Sequence, residues 1–125
     1  MLIMKGADHT LQLLLDLDGF NYVYDGGYWI RFAVSAVEKR SERPHGIKYS
    51  LTLHDRQGIR VFGIDNAHSP KTHSGPAGKS ARHATVDHVH RGGRVYRYEF
   101  VDAETLLADF DKAVIAALKK RGVNL

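Results

Sequence analysis

The chain has 125 residues, of which 43% are hydrophobic and 26% are charged, and these values are typical of an ordinary globular protein that forms one domain over residues 1–125. It contains no cysteine, which excludes disulfide bonds and thiolate metal ligands and fits a reducing cytoplasm, where we expect the protein. We expect neither a signal sequence nor a membrane span, because the apolar run near the start is short and is interrupted by polar residues.

The first half of the chain has the patterns of β-strands. Leu11, Leu13 and Leu15 alternate with other residues, and a turn at Asp18-Gly19 leads into residues 20–24, so the sequence predicts an opening hairpin. Period-two alternation continues beyond this hairpin. It predicts three further strands, at residues 28–38, 47–54 and 59–64.

The second half predicts a loop, two strands and a helix. Residues 66–85 have no regular periodicity and form a long basic loop, whereas residues 86–90 and 94–100 are expected to be strands joined at Gly92-Gly93. Asp102 is the expected N-cap of an amphipathic helix. The predicted fold is therefore α+β: a meander-like antiparallel sheet of five to seven strands, covered by one C-terminal amphipathic helix.

Positive charge is concentrated in one segment. The net charge is +4, yet residues 68–97 contain six basic residues and one acidic residue, and the rest of the chain has 12 basic and 13 acidic residues. A polyanion is the expected partner, with RNA or DNA ahead of a membrane surface. The alternative is a solvated basic loop without a ligand. The candidate nucleic-acid contacts are Lys71, Lys79, Arg82, Arg91 and Arg94.

Two short polar motifs flank the basic loop. Asp65, Asn66 and His68 follow a predicted strand, and His88 and His90 lie where the chain enters the sheet again. In an extended strand, His88 and His90 point to the same face, roughly 6.5 to 7 Å apart. These five residues are the candidate catalytic residues. The alternative is that both histidines lie on a solvated strand face and that the Asp-Asn pair only ends a strand.

Two chemistries fit these residues. Two imidazoles can act as general base and general acid on a phosphodiester, with Arg91 or Lys79 stabilising the charged transition state and without any cofactor. The same geometry also suits a divalent metal ion held by Asp65, His68, His88 and His90. The sequence does not choose between them.

The order and spacing of five segments resemble the TumE family of prokaryotic toxins, over residues 27–122. The segments are Lys48-Tyr49-Ser50-Leu51-Thr52-Leu53, Ile64-Asp65-Asn66-Ala67-His68, Asp87-His88-Val89-His90-Arg91, Tyr98-Glu99-Phe100 and Leu106-Leu107-Ala108-Asp109-Phe110. The resemblance implies the toxin of a type II toxin–antitoxin pair, whose antitoxin is a small protein with a helix-turn-helix domain. It does not imply a particular chemistry.

Three hypotheses follow. The first is a metal-independent ribonuclease in which His88 and His90 are the acid and base and Asp65 orients one imidazole. The second is a metal-dependent nuclease. The third is a non-enzymatic module that binds nucleic acid or the antitoxin through its charge. An exposed sheet edge would also favour pairing with a second copy or with an antitoxin segment.

Overall fold

The computed structural model describes residues 6–40, 45–66 and 87–125. These residues form two α-helices and six β-strands, with one 3₁₀ turn at Asp25–Gly27. In chain order the elements are α1 (Gly6–Asp16), β1 (Asn21–Val23), β2 (Trp29–Ala36), β3 (Ile47–His54), β4 (Arg60–Asp65), β5 (His88–Arg91), β6 (Arg94–Arg97) and α2 (Ala103–Lys120).

The strands form one antiparallel sheet in which each strand pairs with its neighbours in the sequence, in the order β1 to β6. This arrangement confirms the predicted meander and the α+β class. The tightest connection is the turn between β5 and β6, where Gly92 and Gly93 have φ angles of 55° and 82°. Positive φ at both central residues is the requirement of a two-residue type I′ hairpin turn, which the Gly-Gly pair satisfies without strain.

The core lies between one face of the sheet and the two helices. Every second residue of β2, β3 and β4 is buried on this face, and α2 contributes its apolar stripe. Phe110 of α2 has ring contacts with Phe32 of β2 and Phe62 of β4, which fixes the helix across the sheet. The helix begins where the sequence predicts, since the Asp102 side chain accepts a hydrogen bond from the Thr105 N–H at 2.7 Å.

The predicted opening hairpin is wrong in its first strand, because the structure has helix α1 over Gly6–Asp16. Leu11, Leu14 and Leu15 have helical spacing, and they are the residues that face the core: Leu14 is fully buried and the other two are partly buried. Leu13 is 48% exposed, so the alternation of residues 11, 13 and 15 does not describe the buried side. Within the described residues, two helices therefore cover the sheet, whereas the sequence predicts one.

Neither of the two helices in the described part of the chain is long and apolar enough to cross a membrane.

Candidate active site

The polar residues of interest lie on the sheet face turned away from the helices, here called the site face. Strand register places Asp65 opposite His88, and Gly63 opposite His90, between β4 and β5. Alternate residues of a strand share a face, so these four positions are on the same side. Ser50 and Thr52 of β3 are on the site face too, where they pair with Asp65 and Gly63.

Asp65 connects the two histidines. Its Oδ1 lies 3.2 Å from the Nε2 of His88, and its Oδ2 lies 2.8 Å from the Nε2 of His90. The two imidazole rings are 5.3 Å apart between centroids and nearly perpendicular. The side chain of His88 is 5% exposed and that of His90 is 16% exposed, so His90 is the imidazole more accessible from outside. The structure therefore brings together three of the five candidate catalytic residues.

The protonation of this cluster follows from its burial and its contacts. Burial alone raises the pKa of the Asp65 carboxyl group, but hydrogen bonds and charge interactions with His88 and His90 outweigh burial and hold that pKa below its usual value. Burial lowers the pKa of the His90 imidazole, and nearby Arg60 acts in the same direction against the attraction of Asp65. An ionised Asp65 accepts hydrogen bonds only, so the Nε2 atom of neutral His90 carries the proton and donates it.

Asn66 has a different environment from the three clustered residues. Its side-chain oxygen accepts a hydrogen bond from the Tyr49 N–H at 2.8 Å, and its side-chain nitrogen donates to the Ile47 carbonyl at 2.8 Å. Its own N–H donates to the Tyr49 carbonyl. These bonds to the backbone of β3 continue the ladder past the end of β4 and fix the position of Asp65, the preceding residue. A catalytic role for Asn66 stays a prediction.

Most of the predicted basic loop falls outside the described residues. This applies to one candidate catalytic residue and to three candidate nucleic-acid contacts, namely His68, Lys71, Lys79 and Arg82.

The structure does not bring Arg91 to the two histidines. Its guanidinium lies 5.3 Å from the centroid of the Phe62 ring, on the face that the helices cover. Arg94 pairs with Arg91 across the β5–β6 hairpin, so the register assigns it to that same face. The physical reason is the strand period: Arg91 follows His90 directly, and successive side chains point to opposite faces. Nucleic-acid contacts by Arg91 and Arg94 stay a prediction.

Two arginines on the site face were missed by the sequence analysis. Arg97 pairs with His88, a position that follows from the predicted turn at Gly92-Gly93. Arg60 could not be placed in this way, because the register of β3 and β4 shifts: Leu53 pairs with Phe62, whereas His54 pairs with Arg60. Val61 is the extra residue of this β-bulge, and bulges redirect the side chains beside them.

The arrangement supports either of the two chemistries. His90, oriented by Asp65 through Nε2, can take up a proton at Nδ1, as in an Asp-His pair of a general-base site. Alternatively, one ligand atom from each of Asp65, His88 and His90 lies within 4.8 Å of the others, which suits one metal ion bound by two imidazoles and a carboxylate. Both options use the same three residues.

Comparisons with known proteins identify the family. The family model described as Toxin TumE matches residues 16–118. No curated protein and no solved structure matches the chain. The matched range contains all six described strands, most of α2 and the cluster of Asp65, His88 and His90. The chain therefore belongs to the TumE family of toxins.

Proposed function

We propose that this toxin cleaves RNA and that the cluster of Asp65, His88 and His90 is its active site. The observation that carries the proposal is the single buried carboxylate that holds both imidazoles, one of which is partly exposed. A buried Asp-His-His cluster on a sheet face is expensive to maintain unless its hydrogen bonds are satisfied, and such clusters with shifted pKa values are characteristic of functional sites.

The proposed reaction is transesterification without a metal. His90, the more accessible imidazole, accepts the proton of a ribose 2′-hydroxyl at Nδ1. The 2′-oxygen then attacks the adjacent phosphorus, the bond from phosphorus to the 5′-oxygen breaks, and that oxygen takes up a proton. His88, on the same carboxylate, is assigned this second proton transfer. The products are a 2′,3′-cyclic phosphate and a 5′-hydroxyl.

A metal-dependent nuclease is the second candidate, and the convergence of three ligand atoms favours it. Zn²⁺ in particular binds to imidazole and carboxylate groups, and with three protein ligands it keeps a position for an activated water. A metal held by Asp65, His88 and His90 would activate water for hydrolysis, which would leave one phosphate monoester end and one hydroxyl end, with no cyclic phosphate. The ends of the RNA products therefore distinguish the two mechanisms.

The cellular setting is part of the proposal. We propose a cytoplasmic toxin that is neutralised by a helix-turn-helix antitoxin from a neighbouring gene. The edge strands of the described sheet, β1 and β6, are where an antitoxin segment or a second copy would add a strand.

The test is induced expression of the native chain and of three variants, with growth and total RNA followed over time. His90→Ala and Asp65→Asn should abolish both growth arrest and RNA decay, with a loss of cleavage rate of about 10²-fold or more. His54→Ala is the matched control, because His54 is a partly buried histidine of β3 that stacks on Trp29 and contacts Thr52, and it should behave as the native chain. Circular dichroism checks that each variant folds.

The alternatives have distinct outcomes. Growth arrest that survives in folded His90→Ala and Asp65→Asn would contradict catalysis at this cluster and leave a toxin that acts by binding alone. Loss of RNA cleavage in EDTA, with a stoichiometric metal in protein purified without a His tag, would replace the acid–base mechanism by the metal-dependent one.

A further inference from the structure

Arg60 is a cationic side chain near His90, the more accessible imidazole of the cluster, and both residues line one pocket. Arg60 lies at the start of β4, and the β-bulge at Val61 turns it to the site face instead of the face that the helices cover. A Cβ atom built on Gly63 would come within 3.3 Å of the Arg60 Cδ. The stem of Arg60 therefore lies over Gly63 on the site face. Gly63 pairs with His90 of the neighbouring strand, so the Arg60 stem lies beside that histidine.

Gly63 provides the space for this crossing. Its hypothetical Cβ would also lie 3.3 Å from the Thr52 Cγ2 and 3.4 Å from the Leu51 carbonyl oxygen, so a side chain at position 63 would displace the arginine. Glycine inside a strand weakens it and commonly marks a place where another group approaches closely. Here the approaching group is the side chain of Arg60.

The charge of Arg60 is not neutralised within the described part of the chain. Among the described residues, the ion pairs of Asp65 are with His88 and His90, and a further salt bridge joins Arg40 to Glu38. Arg60 is exposed. An exposed arginine that forms no ion pair with a described carboxylate can direct its planar fork of donors to a phosphate group, whose geometry it matches.

A pocket adjoins this arginine. It has a volume of about 320 Å³. Its lining comprises His90, three arginines (Arg60, Arg91 and Arg94), the Gly92-Gly93 turn and the apolar side chains of Ile59, Val61 and Val95. Its size is at the lower end of the roughly 300–1,000 Å³ range of pockets that bind small molecules. The same pocket thus offers cationic side chains, an imidazole and apolar walls, as one nucleotide unit of an RNA chain requires.

We propose that Arg60 binds the phosphate group on which His90 acts, and that the pocket beside it receives one nucleotide of the RNA. The inference rests on the proposed function, since it assigns the phosphate contact of the same site. Arg91 also lines this pocket, but its guanidinium lies over the Phe62 ring, so the phosphate contact that the sequence analysis assigned to Arg91 is here assigned to Arg60.

The test measures binding and cleavage separately. Binding is followed by fluorescence anisotropy with a labelled single-stranded RNA oligonucleotide that carries 2′-O-methyl groups and cannot undergo transesterification. Arg60→Gln and Arg60→Lys are compared with Arg56→Gln, a control in the same β3–β4 hairpin whose stem packs beside Gly27 at the opposite side of the hairpin. Urea unfolding verifies that the variants are as stable as the native chain.

We expect Arg60→Gln to weaken the affinity for the probe about tenfold and to reduce the salt slope of log K by about 0.7, the value for one phosphate contact on a single strand. Its cleavage rate should fall by about 10²-fold, as for loss of a donor to a developing charge. Arg60→Lys should restore the salt slope but only part of the rate, because lysine lacks the planar fork. Arg56→Gln should retain both affinity and rate.

Two results would overturn the inference: probe affinity and salt slope of Arg60→Gln equal to those of Arg56→Gln, or no binding of the probe by the native chain. Native protein that binds the probe but does not cleave unmodified RNA would contradict the proposed function alone, and the affinity of Arg60→Gln would still decide the role of Arg60.

Discussion

At the scale of single residues, the buried pair of Tyr49 and Asp87 allows a sharp prediction about stability. The Tyr49 hydroxyl donates to the Asp87 Oδ2 at 2.6 Å, and both residues are buried. Burial raises the pKa of Asp87 in spite of this hydrogen bond, and the pKa of Tyr49 is raised as well, so the tyrosine keeps its proton and acts as the donor.

Tyr49→Phe should therefore lower the free energy of unfolding by roughly 1–3 kcal/mol, because it leaves a buried carboxylate without its donor. The loss should be smaller at low pH, where Asp87 is protonated and its burial costs less. Tyr98→Phe is the matched control, since its hydroxyl donates to Asp109 at an exposed position. Urea unfolding at two pH values measures the free energy of unfolding of both variants. An equal decrease for Tyr49→Phe and Tyr98→Phe would contradict a special role of the buried Tyr49–Asp87 hydrogen bond.

The candidate site shows which residue-level features a sequence can provide. The shared face of His88 and His90 follows from their spacing of two in a strand, and the structure brings both to Asp65. The position of Arg60 does not follow from local spacing, because it depends on a bulge whose register is set by the pairing of β3 with β4. Asn66 was grouped with Asp65 by adjacency, although its side chain is bonded to the backbone of β3.

At the scale of elements, helix α1 is a part of the core. Leu14 is fully buried among the residues of the core cluster, whereas its neighbour Leu13 is 48% exposed. Leu14→Ala should lower the free energy of unfolding by about 2–5 kcal/mol, because it leaves a cavity in the packed core. Leu13→Ala should change it by less than about 0.5 kcal/mol.

Chemical unfolding followed by circular dichroism measures both leucine variants. The comparison also tests the helix itself: in a strand, positions 13 and 14 would face opposite sides and position 13 would share its side with 11 and 15. A larger loss for Leu13→Ala than for Leu14→Ala would therefore contradict helix α1 and return this segment to the hairpin that the sequence predicts.

The elements of the sheet were predictable because their buried face repeats every two residues. In β3, for example, Ile47, Tyr49, Leu51 and Leu53 are all buried. The segment of α1 was not predictable in this way, since a short leucine-rich run satisfies both a period of two and the i, i+3, i+4 spacing of a helix. Packing against the rest of the core decides between the two, and packing is not a local property.

At the scale of the whole molecule, the uneven distribution of charge determines how RNA binding should respond to salt. The net charge is +4 and the sequence pI is about 9.4, yet the positive excess lies in residues 68–97. A protein that neutralises phosphates releases condensed counterions, so its affinity falls with salt in proportion to the number of contacts made. The location of a charge, and not only its sign, decides whether its removal changes that dependence.

A triple variant tests the predicted basic loop: Lys71→Ala/Lys79→Ala/Arg82→Ala. It should reduce the salt slope of log K for single-stranded RNA by about 2, because each lost phosphate contact reduces that slope by about 0.7. The matched control removes three exposed lysines of α2, which covers the opposite face of the sheet: Lys112→Ala/Lys119→Ala/Lys120→Ala. Both triple variants lose the same charge, so a general electrostatic attraction would lower their affinities alike.

Titrations with the 2′-O-methyl probe between about 50 and 200 mM salt separate the two cases. This range is about fourfold, and binding through several phosphate contacts changes strongly over it. Equal slopes for both variants would mean that the predicted basic loop does not contact the RNA, and the site face, with Arg60, would then be the surface that binds the phosphates.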